Sequence, residues 1–503
     1  MKKLLTALLA LAMAFTMVFA TAASAEDGYK DSITWVIGND QDILDPQNNV
    51  SNSKVIPQYY DGLLGYDNDG NVVCKMAESY EASEDKMTWT FHLRQDVYFH
   101  SGRHCTAHDF EATFDRLLNT ENPQRYTSNA SFIDTAVATD DYTFVITLKE
   151  PKAFFLQAIA KQWAFVLNPE YIEKYGADLG KTAESVDGTG PFKCTQWDKG
   201  EVMKFEAFEN YYEGAPLTHE IVMKIVPEQT SRAIAVETAQ ADIADGVSPD
   251  DAVRLDALDG VTVSKTDGNG CHLFQFNCAS DHAPMSIPAV RQAICYAIDR
   301  NAICEYLYSG LGEIPIDSIM APSVAGYSSV GVVPYDPEKA KELLAQSSFD
   351  TSKPLRILTA TGGGAEAMLE VLRQEAAKIG VTLEITATDR TTMTSMRNDE
   401  TLYDAYFTTF SSVAVPSLRN FLSADYAGWS DDEHLQELML QMTTAATKEA
   451  AFATWEEIQY YCYSDYCPIL MMGHFHQAAA CTNRLTGYNV FLTTNFWNAK
   501  LAK

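Results

Sequence analysis

The chain has 503 residues, 46% hydrophobic and 21% charged, with 27 glycines and 18 prolines. That is a globular make-up long enough for two or three domains, and it excludes a collagenous or low-complexity architecture. A formal charge of −31 creates a negative field that repels nucleic acid and anionic lipid, so neither is an expected partner.

At the start, Lys2 and Lys3 precede an apolar and small-residue run from Leu4 to Ala20, broken only by Thr6 and Thr16. Ala23-Ser24-Ala25 then leads into Glu26 and Asp27. A basic start, an apolar centre and a small-residue exit form the pattern of a cleaved export signal over residues 1–25. The expected location is therefore the periplasm or the outer face of the cytoplasmic membrane. No cysteine precedes Cys74, so no thiol is available near the expected mature start for a lipid anchor. No later stretch reaches the roughly 18 apolar residues of a spanning helix. The ten cysteines lack a paired C-x-x-C zinc spacing; in an exported chain they are compatible with bridges or with buried free thiols.

Beyond the signal, Ile33–Ile37 reads as a strand. Thr88–Leu93 (TWTFHL) and Thr143–Leu148 (TFVITL) alternate with period two and are strands. Between them Ala107–Leu118 has helical periodicity with Thr106 as its cap. Met203–Phe208 and Glu220–Val226 are further strands. The second half changes character. Ile287–Tyr308 reads as one long helix, and Asp336–Ala345 as another, with Asp336 as cap and Pro337 in the first turn. Leu355–Ala360, Glu366–Ile379 and Val381–Ala387, with Gly380 as the helix stop, make a strand–helix–strand unit whose strands pair in parallel through a right-handed crossover. Pro468–Met472 is a buried strand. The fold class is thus α/β overall, a mixed α+β first lobe followed by an α/β second lobe. Two lobes without a flexible linker place a small-molecule cleft between them.

Several segments, in order, resemble one family. They are Tyr60-Asp61-Gly62-Leu63-Leu64-Gly65-Tyr66-Asp67; Met76-Ala77-Glu78-Ser79-Tyr80-Glu81 followed by Thr88 to Arg94; Val97 to Gly102 with Thr106 to Phe110; Gly188-Thr189-Gly190-Pro191-Phe192 with Asn210-Tyr211-Tyr212; Val290-Arg291-Gln292-Ala293-Ile294 with Ala297 to Arg300; and Tyr335 to Leu344. Together they are similar to the peptide/nickel extracellular solute-binding proteins of family 5, although Tyr80 stands where that family has Trp. Locally, Gly188 and Gly190 can adopt positive φ and Pro191 fixes the exit, so the segment reads as a tight turn before a strand.

The resemblance implies a two-lobed periplasmic-binding-protein-like fold. Its domain I would span residues 26–275 with a subdomain inserted at about 60–190, domain II would span 276–472, and 473–503 would return to domain I. Chain crossings are expected near Leu273–Asn277 and near Leu470–His474. It further implies a monomeric substrate-binding component of an ABC-type importer, with membrane permease subunits as partners and no cofactor, that closes over a peptide or peptide-like small molecule. A nickel chelate, a sugar or another small polar solute on the same fold is the alternative, and a secreted hydrolase a distant one.

Candidate ligand contacts carried over from the resemblance are Tyr59, Trp163, Phe410, Ser411, Ser412, Arg419, His474 and His476. Aromatic rings give apolar walls, and a guanidinium such as that of Arg419 can hold a carboxylate in a two-pronged pair. Peptide-binding members carry an Asp that pairs with the peptide amine; Ser412 occupies that position here, so another carboxylate such as Asp389 or Asp404 would have to serve an ordinary peptide. His100, His104 and His108, with Cys105 among them, have metal-compatible donors, but Gly102 breaks any helix that would align them and no metal site is expected. Gly362-Gly363-Gly364 lacks the G-x-G-x-x-G spacing. The chain has no G-x-S-x-G, H-E-x-x-H or G-x-x-x-x-G-K-[ST] motif, so no catalytic residues are expected.

Overall fold

The computed structural model describes residues 28–49, 54–67, 70–265, 270–303, 312–313, 318–319, 327–331, 333–361, 365–411, 421–475, 478–488 and 495–503. The expected export signal lies outside them.

The first strand, β1 (Ser32–Ile37), buries Ile33, Trp35 and Ile37 on one face. After it the chain enters an inserted unit. A hairpin of β2 (Leu64–Tyr66) and β3 (Val72–Cys74) is followed by β4 (Ala77–Ala82), β5 (Thr88–Leu93), α1 (Ala107–Leu118), β6 (Ile133–Asp140) and β7 (Thr143–Leu148). Strands β4 to β7 form an antiparallel sheet of order β4-β5-β7-β6. Alternation along β5 and β7 turns Phe91, Phe144 and Ile146 onto Phe110 and Phe114 of α1, a core separate from that of the main sheet. At the start of α1, Asp109 accepts a hydrogen bond from the Thr106 N–H at 2.8 Å and pairs with Arg103 at 2.7 Å, so the cap expected from sequence forms.

Short helices α2 (Phe155–Ile159) and α3 (Pro169–Tyr175) lead back to β8 (Phe192–Asp198), β9 (Val202–Ala207), β10 (Glu220–Ile225), α4 (Gln229–Glu237), β11 (Ile243–Val247), α5 (Pro249–Asp256) and β12 (Val261–Lys265). The main sheet, which β19 (Ala478–Thr482) joins from near the end of the chain, has the order β12-β19-β11-β1-β10-β9-β8, with β1 parallel to both β10 and β11.

The second lobe contains β13 (Gly270–Phe276), α6 (Pro288–Ala297), β14 (Gly312–Glu313), α7 (Pro337–Gln346), β15 (Leu355–Ala360), α8 (Ala365–Lys378), β16 (Leu383–Thr388), α9 (Arg390–Met396), β17 (Ala405–Ser411), α10 (Glu433–Thr443), α11 (Lys448–Tyr461) and β18 (Ile469–Phe475). Its sheet runs β14-β18-β13-β17-β15-β16, with β15 parallel to β16 and β17. The chain then re-enters the first sheet through β19 (Ala478–Thr482), and β20 (Leu485–Thr486) pairs with β21 (Lys500–Leu501).

Three expectations differ from the structure. The chain leaves the first sheet after Lys265 and is in the second from Gly270; it returns between Phe475 and Ala478. The positions expected for the crossings therefore lie within β13 and β18, because apolar runs continue through the lobe-two sheet right up to its edge. The single helix expected over Ile287–Tyr308 ends at Ala297, and Ile298 is extended. Asp299 then accepts from the Ala302 N–H at 3.1 Å, which caps a new turn, while Arg300 reaches the Met471 carbonyl at 2.8 Å. Lastly, Gly188 and Gly190 are absent from the described positive-φ residues. They are needed for closeness instead: a Cβ on either would strike the Tyr59 backbone, whose carbonyl accepts from Gly190 N–H at 3.2 Å.

A candidate ligand cleft between two sheets

In open sheets with parallel strands, ligands bind beyond the strands' carboxyl ends, where loops diverge. Both sheets here direct those ends toward the chain crossings. In the first lobe, β11 ends at Val247 opposite Ala478, and Ala478 also pairs with Lys265, the last residue before the first crossing. In the second, β17 ends at Ser411 opposite Gly270, which pairs in turn with Phe475, the last residue before the return. The open ends of both sheets therefore meet at one place.

In the first lobe, the loop leaving β1 starts from that sheet's carboxyl end. It is pinned to the inserted unit by an Arg116–Asp45 pair at 2.6 Å, by Gln47 Nε2 donating to the Thr113 carbonyl at 2.9 Å, and by Gln162 Nε2 and the Tyr126 hydroxyl donating to the Asn49 carbonyl at 3.0 and 2.8 Å. Arg116 and Asp45 are nearly buried, so this joint fixes the inserted unit to the loop leaving β1.

The second-lobe wall carries a recess of about 170 Å³ at the carboxyl ends of β15 and β17. His272, Thr359, Thr361, Thr408 and Thr409 line it from the sheet, and Arg390 and Arg397 from α9 and the residue after it. His272 stacks on Phe407 with centroids 5.3 Å apart, and burial lowers its pKa to about 4, so it is a neutral ring at pH 7. The Arg397 guanidinium lies over Tyr426 and Tyr406, 5.2 and 5.9 Å from the ring centres. Its Nε makes no hydrogen bond among the described residues. Hydroxyls, a neutral imidazole and guanidinium donors suit a small polar ligand with acceptor groups.

The residues singled out from sequence scatter by comparison. Tyr59 is fully buried in the first-lobe core, stacked on Phe205, with its hydroxyl 3.4 Å from the Leu44 carbonyl. Trp163 is buried in the core of the inserted unit. Phe410 and His474 both pair with Cys271, on either side of β13, and His474 is buried. Ser411 ends β17. Ser412, Arg419 and His476 lie outside the described residues, as do Gly362 to Gly364. Asp389 caps α9, accepting from the Thr392 N–H at 3.0 Å. Asp404 is not free for a ligand: it is buried and accepts from Arg356 and His282, both at 2.9 Å.

His100 is also accounted for. Its Nε2–H donates to the Gly190 carbonyl at 2.9 Å, and burial lowers its pKa to about 4. His104 bonds the Gln95 carbonyl, while His108 sits by Glu111 and Asp141. Among the described residues, no group of three or more His, Cys, Asp or Glu converges as a metal site. The described cysteines are all free thiols. Sequence reasoning missed the recess, since a histidine, threonines and arginines spread over three strands and a helix carry no linear signature.

Two sheets whose open ends meet at paired crossings, with a polar recess there, define a two-lobed solute receptor. The sequence profile of the bacterial extracellular solute-binding proteins, family 5 Middle, matches residues 71–432, and the chain belongs to that family. It is 30% identical to the glutathione-binding protein GsiB of Salmonella typhimurium over 387 residues, 76% of this chain and 73% of that one. In fold it is similar to the periplasmic binding protein DppA of Helicobacter pylori in complex with the peptide STSA. The TM-score is 0.83 at 21% identity, covering 95% of this chain and 99% of that one. It is likewise similar to NikA of Staphylococcus aureus in complex with Ni(L-His)2, with TM-score 0.80 at 16% identity, covering 94% and 100%.

The protein is thus a solute-binding component of an ABC-type importer. Members of the family bind small ligands or peptides and work with ABC permease components; they are binding proteins, not enzymes. No helix among the described residues is long and apolar enough to cross a membrane.

Proposed function

We propose that this chain is exported, loses residues 1–25, and acts as a monomer that captures a peptide or peptide-like solute between its lobes and hands it unaltered to a membrane permease. The observation that carries this reading is the convergence of both sheets' open strand ends on a recess rich in hydroxyl and guanidinium donors. Peptide groups are rich in acceptors and suit such a wall. The 30% identity to a glutathione-binding protein supports a small peptide-like molecule over a long one. The candidate contacts that fall near the second-lobe strand ends, Phe410 and Ser411, fit the same reading. Capture of this kind requires no chemistry from either lobe, because a solute that prefers the closed arrangement shifts the population toward it.

Calorimetry with glutathione, tri- and tetrapeptides, Ni(L-His)2 and a monosaccharide tests the reading. Binding by a peptide-like member, with the solute recovered intact, is the expected result. Selective binding of the nickel chelate or sugar would reassign the ligand class, and turnover of any member would refute a purely receptive role. At 100 times its dissociation constant a true ligand adds about 2.7 kcal/mol of stability, which a thermal shift resolves.

A further inference from the structure

Cys278, Cys295, Cys462 and Cys467 are all buried in the second-lobe core. The backbone sets two of them against one another. Cys295 is on α6, one turn after Arg291, so these two side chains share a face of that helix. Cys467 stands two residues before β18. From its face of α6, Arg291 reaches the segment that holds Cys467. Its Nε donates to the carbonyls of Tyr466 and Cys467 at 3.0 and 3.1 Å, and its guanidinium lies 4.5 Å from the centre of the Tyr466 ring. The thiols of Cys295 and Cys467 are in hydrogen-bonding contact, and both are free in this structure.

The chain departs twice from regular geometry to reach this arrangement. After α11 it makes a single π-helical turn, Cys462–Tyr466, and Cys467 then takes φ 48° and ψ 57°. A left-handed backbone is unfavourable for a residue with a Cβ and persists where the surroundings over-determine it. Glycine would take that conformation without strain, yet a cysteine stands there and meets another. The strands and helices β14, α7 to α11 and β15 to β17 all lie between the two in sequence. A link between them would close most of the second lobe into one loop and fasten the start of β18, the strand leading back to the first lobe, to α6.

We propose that Cys295 and Cys467 are a disulfide-forming pair, oxidised to a bridge as the exported chain folds. The inference takes its oxidising compartment from the export reading and needs nothing of the solute. The oxidant is a disulfide such as that of glutathione. One protein thiolate attacks it and expels one glutathione; the second attacks the mixed disulfide at the protein sulfur and expels the other. Two protein thiols are thereby oxidised, one disulfide is reduced to two thiols, and the two protein protons end on the glutathiones released. In the folded chain the Cys295 thiol and burial push the Cys467 thiol up, which leaves little thiolate to react. Pairing therefore belongs to the folding chain, before the core closes.

For the test, the mature chain is unfolded with reductant and refolded in either a glutathione–glutathione disulfide buffer or dithiothreitol. Each sample is then alkylated in urea without reduction and digested. We expect mass spectrometry of the first to show two peptides joined through Cys295 and Cys467, two hydrogens lighter than the sum of the parts. The second should show only alkylated thiols. The bridged form should unfold at a urea concentration higher by roughly 1 M, because the loop it closes is long. Cys295→Ala should lose both the joined peptides and the difference between the two buffers; should that variant fail to refold, the wild-type peptide map decides alone. Alkylated Cys295 and Cys467 after oxidative refolding, or linkage of either to Cys278 or Cys462, overturns the inference. A bridge formed in the glutathione buffer but missing from chain made in an exporting host would place the fault in the export reading and leave the pairing standing.

Discussion

Individual side chains set how this protein answers to acid. His100 and His272 both have pKa values lowered to about 4 by burial, against an ordinary value of 6.5. Each is neutral in the fold, while in the unfolded chain it takes up a proton near pH 6.5. Their stabilising contribution is therefore complete above that pH and lost as pH falls toward 4, by up to about 3 kcal/mol per ring. Asp61 acts in the opposite sense. Burial raises its pKa despite Lys75 and the Tyr211 and Tyr212 hydroxyls, so its contribution is lost as pH rises. Urea midpoints between pH 7 and pH 4 should show a smaller acid-side loss in His100→Gln than in the wild type; an unchanged slope would exclude this ring as a source. Asp404 offers a second check. Burial raises its pKa, but hydrogen bonds from His282 and Arg356 outweigh that and leave it lowered. Asp404→Asn leaves both partners short of an acceptor charge and should cost about 2–3 kcal/mol in chemical denaturation.

Secondary-structure elements explain which parts of the fold were legible from sequence. Thr88–Leu93, Thr143–Leu148 and Ala107–Leu118 are strands and a helix with one wet and one dry face, so their period appears in the residues themselves. The break at Ile298 was hidden, because Asp299 and Arg300 look like a solvated helix edge until Met471 is known to lie beside them. The glycines of the Gly188–Phe192 segment were recognised as special for the wrong reason. Sequence suggests a turn; the neighbour across the fold supplies the constraint. Gly188→Ala should thus cost about 1–3 kcal/mol by forcing Tyr59 to move. Gly200→Ala, at φ +76° with open space around it, should cost only about 1 kcal/mol of backbone strain. Comparable losses at the two positions in thermal denaturation would refute the close-packing account. The recess remained unread for a related reason: His272, Thr359 and Thr409 are brought together only by strand pairing and stand far apart in the chain.

For the molecule as a whole, direct contacts between the lobes bear on the balance between separated and closed arrangements. The Phe154–Phe452 pair joins the lobes without touching the recess. An aromatic pair of this kind contributes about 1 kcal/mol, so Phe452→Ala should shift the ligand-free protein toward separated lobes. Its solution radius of gyration should rise and solute affinity fall about five-fold; an identical scattering curve would assign the pair no part in that balance.

The two chain crossings begin and end at paired residues. Antiparallel pairing flanks them on both sides, Lys265 with Ala478 in one sheet and Gly270 with Phe475 in the other. Both passages of the chain are therefore anchored at neighbouring points on each sheet, so the lobes are joined at one locality. A change in their separation is then read most directly far from that locality, by one interprobe distance with a dye on the distal part of each sheet.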